Sequence, residues 1–83
     1  MDDQIFNEVR SIVVKTIGIE SRAESLAPES SLAGLPEFDS MAVLDVMLAL
    51  EEHFGITIED DEVTGDLFET LGTLAAFVER RLK

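Results

Sequence analysis

The chain has 83 residues, enough for one small domain around one core. It carries 18 Asp and Glu against 6 Lys and Arg, a formal charge of −12, which repels nucleic-acid phosphates and favours basic protein partners. Cysteine is absent, which excludes a disulfide, a thiolate zinc site and a thiol nucleophile. An apolar content of 46% argues against disorder, and no apolar run approaches the ~20 residues of a membrane span. The acidic start Met1-Asp2-Asp3-Gln4 lacks the basic opening of a signal peptide, so the expectation is a soluble, cytoplasmic monomer.

Residues 3–17 read as a helix, because Ile5, Phe6, Val9, Ile12, Val13 and Ile17 recur at i, i+3, i+4 spacing. Asp3 suits its positive end, Lys15 its negative end, and Gly18 is its stop. Residues 18–39 have no sustained period. Pro28, Pro36, Gly34 and four serines mark a long loop, with a single helical turn expected near residues 28–33. Leu26, Leu32, Leu35 and Phe38 are spaced to tack it onto the core.

Residues 40–54 form the second helix, opened by Asp39 as N-cap and closed by Gly55 as C′ glycine. It carries two apolar stripes. Val43, Val46, Met47, Leu50 and Phe54 make a core stripe. Met41, Leu44 and Leu48 make a second, flanked by Asp45, Glu51 and Glu52. That second stripe either meets the long loop or stands exposed as a docking face with an acidic border. Ser40 lies at the positive end of the helix dipole, a place that favours a phosphate adduct.

Ile56 and Ile58 alternate with polar residues and read as extended chain. Glu59-Asp60-Asp61-Glu62 opens a short helix that reaches about Thr64. Its spacing does not fit an EF-hand loop, and no metal site is expected. Residues 70–82 are the last helix, with Thr70 as cap and Leu71, Leu74, Ala75, Val78 and Leu82 on the buried face, Phe77 at its edge. Gly72 in its first turn is unfavourable by up to ~1 kcal/mol relative to alanine. The expected core is Phe6, Val9, Val13, Val46, Leu50, Phe54, Ile58, Val63, Phe68, Leu71, Leu74 and Val78.

A catalytic serine needs a nearby base. The only histidine, His53, lies on the same helix as Ser40 but roughly 20 Å along it at 1.5 Å rise per residue. Ser40 therefore has no base within this chain, and any reaction at its hydroxyl needs another enzyme.

Asp39-Ser40-Met41 opening an acidic amphipathic helix, the turn Leu50-Glu51-Glu52-His53-Phe54-Gly55-Ile56 and the final 70–82 helix resemble the acyl carrier protein family along essentially the whole chain. The resemblance implies an all-α bundle of three main helices and one short one after a long first loop, in a single carrier domain over 1–83. It implies a carrier with no catalysis of its own. Its cofactor would be phosphopantetheine, attached to Ser40 from coenzyme A by a phosphopantetheinyl transferase. Acyl groups would ride on it as thioesters, with the short acidic helix and helix 40–54 guarding a cleft for the chain. Asp39, Met41, Leu44, Asp45, Leu48, Glu51 and Glu52 would face partners: the transferase, and acyl-loading and acyl-transfer enzymes with basic surfaces. Met41 replaces the leucine usual in fatty-acid synthase carriers and is common in D-alanyl carriers. Ala42 stands where housekeeping carriers usually have an acid, and Leu35-Pro36-Glu37-Phe38 replaces a glycine-containing approach. These departures point to a specialised carrier for fatty-acid, lipid or polyketide-type biosynthesis. An aminoacyl carrier is the second reading, and an unmodified acidic helical adaptor is the alternative of another class.

Overall fold

The computed structural model describes residues 3–82. Three α-helices, α1 (Asp3–Ile17), α2 (Ser40–Phe54) and α3 (Leu71–Leu82), are joined by loops that hold two 3-10 turns, Glu20–Ser25 and Asp60–Glu62. The fold is all-α, as expected. Among the described residues the one β-type pairing is an isolated bridge between Ser31 and Thr70. No helix among them is long and apolar enough to cross a membrane.

α1 packs along both α2 and α3. It buries Phe6, Val9, Val13 and Val14, while Ile5, Ile12 and Ile17 pack partly buried at the edge of the same core. α2 contributes Ala42, Val46, Met47 and Leu50, and α3 contributes Leu71, Leu74, Ala75, Phe77 and Val78. Two expected core residues, Phe54 and Val63, are only partly buried. Phe54 ends α2 beside the chain reversal, and Val63 follows the second 3-10 turn, so each packs on one side only. Leu82 is exposed rather than buried, because α3 has run past the core by its last turn. Phe77, expected at the edge, is buried, with the Arg81 guanidinium over its ring at 5.1 Å.

The long loop is a packed structural element. Ile19, Leu26 and Leu32 are buried in the core. Its helical turn falls at Glu20–Ser25, earlier than the expected 28–33. Residues 28–33 instead lie against the start of α3 and supply acceptors for its free N–H groups. The Leu71 amide donates to the Ser30 carbonyl at 3.0 Å and the Gly72 amide to the Pro28 carbonyl at 2.7 Å. Thr70 caps the third amide, its Oγ1 accepting from the Thr73 N–H at 3.0 Å. The approach explains the glycine at 72. A Cβ there would meet the Pro28 carbonyl oxygen at 2.8 Å.

Gly55 closes α2 in the left-handed conformation, φ 67°. Its amide and that of Ile56 both donate to the Glu51 carbonyl, at 2.9 and 3.3 Å. This turn reverses the chain and returns Ile58 to the core beside the last turn of α2.

Candidate functional site

Ser40 is the first residue of α2, and the loop before it is held by short-range bonds. The Leu35 amide donates to the Leu32 carbonyl at 3.1 Å and the Phe38 amide to the Leu35 carbonyl at 3.0 Å. Asp39 is extended, φ −91° and ψ −175°, and its Oδ1 accepts from the Ala42 N–H at 2.9 Å. Capping thus falls to Asp39 and leaves the exposed Ser40 hydroxyl without that duty. His53, at the other end of α2, faces Glu8 of α1, with Nε2 3.0 Å from Oε1.

Beside Ser40 opens a cleft of about 320 Å3. Val43 of α2 forms one wall, and Val63, Thr64 and Gly65 after the second 3-10 turn form the other. Phe38 and Phe68 lie across it, with ring centroids 5.3 Å apart and planes tilted by 48°. Asp39 is the one ionisable side chain lining the cleft, and it sits with Ser40 at the mouth. Val43, expected in the core stripe, is half-buried because it faces this cleft.

The opposite face of α2 carries the second stripe. Met41 is 65% exposed, Leu44 56% and Leu48 60%. The long loop does not cover them. Asp45 and Glu52 are exposed on the same helix, but Glu51 is not free in the same way. Its Oε2 accepts from the Ile58 N–H at 2.8 Å, so this half-buried carboxylate ties the returning chain to α2. The Gly55 reversal that brings Ile58 alongside was readable in the sequence; the partner of Glu51 was not.

The second 3-10 turn, which leads into the cleft wall at Val63, Thr64 and Gly65, is itself fastened by a carboxylate. Glu62 Oε1 accepts from the Glu59 N–H at 3.0 Å, and Glu62 also pairs with Arg81 of α3. Among the described residues no group of three or more His, Asp or Glu side chains could hold a metal ion. The arrangement is an exposed hydroxyl between an apolar cleft and an apolar outer strip, with the neighbouring carboxylate engaged as a helix cap and His53 set against Glu8.

A family model described as the phosphopantetheine attachment site matches residues 7–79. The chain is 33% identical over 61 residues to an acyl carrier protein of Petrotoga mobilis, covering 74% of this chain and 69% of that one. It is 24% identical over 80 residues to an acyl carrier protein of Thermotoga maritima, covering 96% and 94%. Its fold superposes with a TM-score of 0.89 on the solution NMR structure of a holo acyl carrier protein from Nitrosomonas europaea, at 45% identity over 95% of this chain and 96% of that one. On this evidence the chain belongs to the acyl carrier protein family, whose members are carriers without catalytic activity of their own that bear a phosphopantetheine prosthetic group.

Proposed function

We propose that Ser40 is the attachment site of phosphopantetheine and that the protein presents aliphatic acyl groups to enzymes of fatty-acid, lipid or polyketide-type biosynthesis. The observation that carries this reading is the position of Ser40: exposed, at the N-terminus of α2, and at the mouth of an apolar cleft. The group fits there. Asp39 has taken over the capping, so the Ser40 hydroxyl is available to a transferase, and the positive end of α2 favours the resulting phosphodiester. When bound, phosphopantetheine supplies the thiol this chain lacks, on which acyl groups are carried as thioesters.

The chain's own residues do the rest. Met41, Leu44 and Leu48 offer an apolar strip to a partner, and Asp45 and Glu52 steer basic surfaces towards it. Glu51 belongs to the fold first, since its carboxylate is engaged by Ile58. An aliphatic load is favoured over an aminoacyl one by the cleft, whose one carboxylate, Asp39, already accepts from the Ala42 N–H and whose other lining side chains carry no charge.

Incubation with coenzyme A and a broad-specificity phosphopantetheinyl transferase tests the reading by intact mass. One phosphopantetheinyl increment is expected, followed by loading with medium-chain acyl groups in preference to D-alanine by the corresponding ligases. No increment with any competent transferase would leave the unmodified adaptor. An increment followed by D-alanyl loading alone would make it an aminoacyl carrier.

A further inference from the structure

We infer that Phe38 sets how far an acyl chain can enter the cleft, and so selects the length of chain this carrier shelters. The inference rests on the carrier reading above and adds to it a specificity-determining residue on the loop before Ser40.

Phe68 is buried and fixed in the core cluster. Both rings come from loops, but Phe38 is only half-buried, so of the two it is the one with room to move. Next to Phe38 the loop is held by the Phe38-to-Leu35 backbone bond and by the exposed Arg22–Glu37 ion pair, neither of which uses the Phe38 ring. Phe38 stands two residues before Ser40 and lines the same cleft. A chain tethered at Ser40 that folds back into the cleft shares it with the Phe38 ring, whose centroid lies 5.3 Å from that of Phe68. The occupant is aliphatic by the chemistry of the walls, since Val43, Val63 and Phe68 offer hydrocarbon and, among the described residues, no buried polar side-chain atom awaits a partner. At about 320 Å3 the cleft is small for a ligand site, so the volume of one phenyl ring is a large share of its capacity.

The test loads wild type, Phe38→Ala and Phe38→Leu with straight-chain acyl groups of four to twelve carbons. It measures the rate at which hydroxylamine cleaves each thioester, a readout independent of any partner enzyme. A sheltered chain draws its thioester back from solvent. Each methylene that enters should strengthen sheltering by up to about fourfold, until the cleft is full. Wild type is expected to level off at a definite length, Phe38→Ala about two or more carbons later, and Phe38→Leu in between. Circular dichroism establishes that each variant is folded, and the leucine variant carries the test if the alanine variant is not.

A plateau at the same length in the folded variants would overturn the inference. So would loss of protection at every length in the variants, which would make Phe38 a wall the cleft needs. Absence of length dependence in wild type would overturn it as well. Failure of the carrier reading shows earlier and separately, as a wild type that gains no phosphopantetheinyl mass.

Discussion

The two apolar faces of α2 use the same kinds of residue and meet opposite fates. Val46, Met47 and Leu50 are buried against α1 and the core, whereas Met41, Leu44 and Leu48 on the same fifteen-residue helix are more than half exposed. The inner face is accounted for by packing, and its cost or benefit appears in stability. The outer face gains nothing from folding. An apolar strip left in water beside exposed carboxylates is what the proposed docking surface requires. The helix thus separates a buried side from an exposed apolar side, with Ser40 at its N-terminus.

The comparison can be broken most forcefully on the inner side. Leu50→Ala is expected to destabilise by about 2–5 kcal/mol, since Leu50 is fully buried. A denaturant melt within about 0.5 kcal/mol of wild type would place Leu50 with the surface residues. Gly72→Ala comes next. Its Cβ would meet a backbone carbonyl that cannot swing aside, so about 1–3 kcal/mol is expected despite alanine's better helix propensity. A neutral or stabilising result would mean that residues 28–33 lie less closely against α3.

Glu51 sharpens the comparison because it sits on the boundary. Glu51→Ala leaves the Ile58 amide without its acceptor and should destabilise by about 1 kcal/mol. Asp45→Ala should not, because that carboxylate is exposed. Equal melts for the two would return Glu51 to the docking border. The smallest stability effect is expected on the outer strip: Leu44→Ala should shift the melt by no more than about 0.5 kcal/mol. Asp45→Lys with Glu52→Lys should likewise spare the fold while slowing cofactor transfer at low salt, an effect that fades as salt is added. Unchanged transfer rates at low salt would put the docking surface elsewhere.

Most of the bundle was legible because its information is local. The i, i+3, i+4 spacing in α1 and the pairing of Asp39 with Gly55 around α2 mark both helices to the residue. What escaped depends on contacts between distant parts of the chain. Glu51 looks like any exposed helix carboxylate until the reversal at Gly55 sets Ile58 beside it. Gly72 looks like a weak spot until the Pro28 carbonyl is seen against it. The Phe38–Phe68 pair joins two loops with no shared period, so the sequence marks both residues as apolar without indicating that they cross one cleft. The first 3-10 turn, over Glu20–Ser25, has no buried residue, and hence no apolar rhythm to reveal it.

The central claim concerns one of six serines. Ser40 alone follows an aspartate that caps a helix and opens on both the cleft and the outer strip. The direct measurement is peptide mapping by mass spectrometry after coenzyme A and transferase treatment, on wild type and on Ser40→Ala. One phosphopantetheinyl group confined to the peptide containing Ser40 is expected in wild type. The variant is expected to stay unmodified with its helical content intact, because Asp39 keeps the cap. A modified peptide lacking Ser40, or an alanine variant that still gains the group, would contradict the account.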